Sequence, residues 1–124
     1  MNGSRIMAID DENIVGKMIK TVFEQDGYTV ETFLNPKAAL TRLKEEKFDV
    51  VITDLKMKDM DGMEVLKTIK KDWPDTKVIM ITAFASLDSA VEAFRRNADD
   101  FFAKPVKISD LKACVQKLLS QNPA

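Results

Sequence analysis

Two hydrophobic periods take turns along this chain, a short apolar run followed by a longer amphipathic stretch, and the pair repeats five times. The short runs are Ile6 to Ile9, Tyr28 to Phe33, Phe48 to Ile52, Val78 to Ile81 and Phe101 to Ala103, and they read as strands. The third, with Val50, Val51 and Ile52 at its centre, is almost continuously apolar, as a central strand covered on both faces must be. The intervening stretches read as helices. Asn13 is expected to cap the first, with Ile14, Met18, Ile19, Val22 and Phe23 on its inner face and Gly27 at its end. Pro36 suits the first turn of the second, which carries Ala39, Leu40 and Leu43. The third holds Met63, Leu66 and Ile69 and stops at Trp73-Pro74. Ser86 or Asp88 opens the fourth, which is expected to turn Ala90, Val91 and Phe94 inward and to end at Asn97, a residue that tolerates the left-handed conformation. Ser109 or Asp110 starts the fifth, and the tail from Gln121 to Ala124 is expected to fray.

Strands that alternate with helices pair in parallel through right-handed crossovers, giving a three-layer α/β sandwich. Ligands of such sheets bind beyond the carboxyl ends of the strands. Polar residues stand at those ends: Asp10 and Asp11 after the first strand, Asp54 after the third, Thr82 after the fourth and Lys104 after the fifth. Topology alone therefore gathers carboxylates, a hydroxyl and an ammonium at one edge. Carboxylates brought together raise one another's pKa unless a cation neutralises them, and oxygen donors suit Mg2+ or Mn2+ better than zinc. Lys104 and the Thr82 hydroxyl can hold phosphate oxygens, and Asp54, ending the central strand, can attack phosphorus as a nucleophile.

Composition narrows the alternatives. The 124 residues fit one domain of common size, taken as 1–124, with 45% apolar and 31% charged residues. With 19 Lys and Arg against 20 Asp and Glu, the chain offers no basic stripe for direct nucleic-acid binding. It contains no histidine, which excludes Ser-His-Asp and Cys-His catalysis within the chain. Cys114, the single cysteine, shares helical spacing with Leu111, Val115 and Leu118 and reads as a core residue. No apolar run reaches membrane-spanning length and Met1 to Arg5 lacks the apolar stretch of a signal peptide, so the expected compartment is the cytoplasm.

Five segments, Ile9-Asp10-Asp11-Glu12, Val50 to Leu55, Met60-Asp61-Gly62-Met63-Glu64, Val78 to Ala83 and Ala98 to Pro105, together resemble the response regulator receiver domain of two-component signalling, in order and spacing and over nearly the whole chain. The resemblance implies a flavodoxin-like, doubly wound five-stranded parallel sheet of order 2-1-3-4-5 with five helices. It further implies phosphoryl transfer from a histidine kinase, a phosphotransfer protein or a small phosphodonor onto Asp54. Asp10, Asp11, Asp54 and the Lys56 backbone carbonyl would hold Mg2+, with Mn2+ as the alternative. Thr82 and Lys104 would engage the phosphoryl oxygens, Phe101 would be the switch aromatic, and Lys104-Pro105 would be cis. Lys56 and Phe84 occupy positions that tune water access and lifetime in this family, and the bulk of Phe84 implies slow self-hydrolysis. The output surface would be the fourth helix, fifth strand and fifth helix, facing a downstream protein or output domain, with phosphorylation-dependent dimerisation left open.

So read, the chain is a switch and not an enzyme. Its rivals are an aspartyl-phosphate-type phosphatase, whose second Asp is replaced here by Lys56, and a non-phosphorylated interaction module. Asp59-Met60-Asp61-Gly62 is similar to a calcium loop, but Met57 and Thr68 stand where ligands are needed, so a hydrogen-bonded turn is expected instead.

Overall fold

A computed structural model describes residues 3–58 and 60–121. Asp59 and residues 122–124, for which a turn and a fraying tail were expected, lie outside the described residues. The chain runs β1 (Arg5–Ile9), α1 (Asn13–Gln25), β2 (Thr29–Phe33), α2 (Pro36–Glu45), β3 (Val50–Asp54), α3 (Gly62–Asp72), β4 (Lys77–Thr82), α4 (Leu87–Arg95), β5 (Asp100–Ala103) and α5 (Ile108–Ser120). The strands form one sheet of order β2-β1-β3-β4-β5, and every pairing is parallel.

Alternation along the strands divides the core in two. Ile6, Ala8, Val50, Ile52, Ile79 and Ile81 face one way, onto Ile19 and Phe23 of α1 and Leu111, Val115 and Leu118 of α5. Met7, Ile9, Val51, Val78 and Met80 face the other way, onto α2, α3 and Ala93 of α4. All five residues of β3 are buried, as its near-continuous apolar run requires of the central strand. Cys114 lies in the first core, where burial and the Asp100 carboxylate that accepts its S–H push the thiol up to about 12.

Four local expectations are corrected. Glu12, not Asn13, holds the N-cap position of α1, and Asn13 is the first helical residue. The buried stripe of α1 is Gly16, Ile19 and Phe23, while Ile14 is 76% exposed: at 100° per residue it points almost opposite to Gly16. In α4 only Ala93 is buried, and Val91 and Phe94 are exposed. This helix packs on β5, a four-residue strand at the sheet edge, which offers too little surface to cover a wider stripe. Finally, α5 begins at Ile108 after Lys107, with no side-chain cap from Ser109 or Asp110. The Ser86 cap of α4, Pro36 in the first turn of α2 and the positive φ of Asn97 are as expected, and Ser89 completes a capping box with Ser86.

Candidate functional site

Parallel register brings the strand-end residues to one edge. Asp54 is the last residue of β3, paired with Ile81 of β4, and Thr82 of β4 pairs with Ala103 of β5. The ladder runs one step further on each side: the Asp10 N–H donates to the Phe33 carbonyl at 3.1 Å and the Lys104 N–H to the Thr82 carbonyl at 2.8 Å. Asp10, Asp54, Thr82 and Lys104 thus leave the sheet side by side.

The carboxylates among them converge on the Lys104 ammonium. It donates to Asp10 Oδ2 at 2.8 Å, to Asp54 Oδ2 at 2.9 Å and to Glu12 Oε1 at 3.3 Å. The second oxygen of each aspartate takes a backbone N–H two residues on, Glu12 for Asp10 at 2.8 Å and Lys56 for Asp54 at 3.2 Å. Asp10 and Asp54 are buried and so is Thr82, whose Oγ1 accepts from the Phe84 N–H at 3.0 Å. The Thr82 hydroxyl therefore keeps its own proton to donate.

Burial pushes the Asp10 carboxyl above its ordinary value, against the pull of the bonds from Lys104 and the Glu12 N–H; the neighbouring Asp54 charge adds least. For Lys104, burial works against the charged form, yet the bonds to Asp10 and Asp54 outweigh it and hold the ammonium above its usual range. The expectation of mutual carboxylate repulsion is thus refined: desolvation dominates, and the cation at hand is Lys104.

Oxygens of Asp10, Glu12 and Asp54 lie within 4.8 Å of one another. Three carboxylates facing one ammonium leave two formal negative charges, and oxygen-only donors at this spacing fit a hard divalent cation. Glu12 ends the Ile9-Asp10-Asp11-Glu12 segment but is not among the metal or phosphate residues expected from the sequence. The run of three acids before a helix was the available signal. Asp11 is half-buried in the same bend but is not a member of that trio.

The remaining candidates surround this centre. Lys56 is exposed and Phe84 is 66% exposed, and together with Leu55, Asp61, Met63 and Ser86 they line one groove. Phe101 and Phe102 face opposite sides, Phe101 packed against the α2–α3–α4 core and Phe102 against the α1–α5 core. Lys104-Pro105 is cis. Gly62 opens α3 directly beneath the Asp54-Leu55 backbone, its N–H donating to the Leu55 carbonyl at 2.8 Å. A Cβ there would collide with the Asp54 carbonyl oxygen and lie 2.7 Å from Leu55 Cα.

Comparison with known proteins agrees with this architecture. The Regulatory protein AtoC of Escherichia coli K12 is 36% identical over 116 residues, 94% of this chain and 25% of that protein. The chain spans about a quarter to a half of the length of the first curated relatives it matches. A CheY-like receiver domain from Methanospirillum hungatei superposes with a TM-score of 0.93 at 31% identity, covering 98% of this chain and 97% of that one. TrrA from Thermotoga maritima, solved in complex with Mg(2+)-BeF, gives 0.83 at 31% identity over 93% and 98%. The model of the response regulator receiver domain matches residues 6–116, and with sheet order, strand-end residues and relatives in agreement, the chain belongs to that family of two-component signalling domains.

Proposed function

We propose that this domain accepts a phosphoryl group on Asp54 and thereby switches a partner surface. The donor is a phosphohistidine on a kinase or phosphotransfer protein, or a small acyl phosphate. A carboxylate oxygen of Asp54 attacks phosphorus, the bond from phosphorus to the donor nitrogen or oxygen breaks, and the leaving group keeps the electron pair. The product on the domain is an acyl phosphate. The observation that carries this reading is Asp54 itself, buried at the end of the central strand and held between the Lys104 ammonium and the Lys56 N–H, beside two further carboxylates.

Asp10, Asp11, Asp54 and the Lys56 backbone carbonyl would hold Mg2+, or Mn2+ in its place. When bound, the ion neutralises charge developing on the transferring phosphoryl group. The magnesium and beryllofluoride in the TrrA structure support this assignment. Lys104, already on Asp54, is in place for a phosphoryl oxygen, and the spare proton of Thr82 for another. Drawing Thr82 toward the phosphoryl group shifts the end of β4, and Phe101, paired with Met80 of β4, turns further inward. Such a shift can be no larger than the differential contacts that Thr82 and Lys104 make in the two states. Lys56 and Phe84, at the groove beside the site, tune the access of hydrolytic water. The domain spans 1–124, acts in the cytoplasm as a switch rather than as an enzyme, and presents α4, β5 and α5 to a downstream protein or a further part of a longer regulator.

The test is incubation with Mg2+ and acetyl phosphate followed by intact mass measurement. One stable added phosphoryl group, lost in Asp54→Asn, is expected. Steady release of inorganic phosphate without accumulation would favour a phosphatase instead.

A further inference from the structure

Glu12 occupies the N-cap position of α1, where an acidic side chain ordinarily accepts from the first free N–H groups, but its carboxylate makes no capping bond. It reaches across the pocket instead, to Lys104 Nζ at 3.3 Å. Its backbone is fixed there, since its N–H is the donor to Asp10 Oδ1. The ammonium has three protons to donate, and three carboxylates receive them. Two of these, on Asp10 and Asp54, are 3% and 7% exposed, whereas the Glu12 side chain is 61% exposed and free to follow its partner.

We propose that Glu12 is the positioning residue for Lys104, retaining its ammonium at the mouth of the pocket when a divalent cation engages Asp10 and Asp54. This rests on the reading that the acidic cluster takes such a cation. A dication and an ammonium compete for the same lone pairs and repel each other. Without a third carboxylate, Lys104 gains rotamer freedom by leaving. The groove beside it is lined by Val15, Met18, Ile81, Ala83, Pro105 and Val106, and among the described residues Glu12 is the only acid in it. Holding Lys104 there keeps it within one side-chain swing of the phosphoryl group arriving on Asp54.

The experiment follows the Lys104 ammonium by NMR in protein labelled with 15N-lysine, its resonance assigned with Lys104→Arg, during a titration with MgCl2. Without Mg2+, wild type and Glu12→Gln both show the slowly exchanging, immobilised ammonium held by Asp10 and Asp54. At saturating Mg2+, wild type keeps it and Glu12→Gln loses it, and phosphorylation by acetyl phosphate slows by about threefold to tenfold in the variant, the size of one lost positioning contact. An ammonium equally immobile in Glu12→Gln at saturating Mg2+, or lost from wild type as well, overturns the proposal. If MgCl2 leaves unperturbed, in wild type, the backbone N–H resonance of Lys56, the donor to Asp54 Oδ1 and itself carried by the lysine label, the cation reading fails and takes the proposal with it.

Discussion

Replacing Lys104 with methionine removes the charge that holds the pocket together and leaves most of the side-chain volume. Asp10 and Asp54, 3% and 7% exposed, then face each other and Glu12 within 4.8 Å with no counter-ion. At an effective dielectric constant of about 20, two unit charges at that separation repel by about 3.5 kcal/mol. Removing one partner of a buried ion pair costs about 3–5 kcal/mol in other proteins, which agrees in size. Against a total stability of about 5–15 kcal/mol, this is a large share. Protonation of Asp10, whose carboxyl burial already pushes up, limits the loss, so a deficit of about 3 kcal/mol is expected near neutral pH in chelator. The sign with pH follows: a carboxyl with a raised folded pKa favours the fold when protonated, so the deficit shrinks as pH falls. Urea unfolding followed by the fluorescence of Trp73, the single tryptophan, measures it as a midpoint lowered by about 1–2 M. Adding Mg2+ should then stabilise Lys104→Met more than wild type, up to about 2.7 kcal/mol at a hundredfold excess over the dissociation constant. A variant within about 0.5 kcal/mol of wild type in chelator, or equal stabilisation of both proteins by Mg2+, would refute the view that Lys104 occupies the place of the cation.

Three further perturbations test other parts of the account. Gly62→Ala forces a methyl group against the Asp54-Leu55 backbone, so it should cost at least about 1–3 kcal/mol and slow phosphorylation; an unchanged melting temperature would contradict the close approach. Phe94→Ser on the exposed face of α4 should change stability by no more than about 0.5 kcal/mol, whereas a loss of core size, about 3–5 kcal/mol, would mean that this ring is buried after all. The Cys114 thiol, at about 12 in the fold against an ordinary 9.0, contributes stability that is complete below the ordinary value and is lost as pH rises through the folded one. The advantage of wild type over Cys114→Ala should therefore shrink between about pH 9 and 12, and a constant difference in urea midpoints across that window would count against it.

The parallel α/β layering and the convergence of Asp10, Asp54, Thr82 and Lys104 were legible because both follow from period and connectivity: apolar runs joined by helices leave their carboxyl ends at one edge, whereas the strand order came only with the resemblance to the receiver family. Side-chain exposure was less legible. Ile14, Val91 and Phe94 are apolar at helical spacing, yet the spacing of Gly16, Ile19 and Phe23 and the shortness of β5 decide which stripes are covered. The run of three acids marks Glu12 in the sequence, but its contact with Lys104 spans 92 positions, depends on where the first turn of α1 begins and shows only in the fold. Gly62 is of the same kind: only the approach of α3 to the Asp54 backbone shows why no larger residue fits.

Borohydride trapping locates the phosphoryl group on the chain. Protein treated with acetyl phosphate and Mg2+ is reduced and digested, and the peptide carrying position 54 is sequenced by mass spectrometry. An acyl phosphate on Asp54 should appear as homoserine at that position and at no other carboxylate. Homoserine at Asp10 or Asp61, or at no position despite incorporated phosphate, would contradict it.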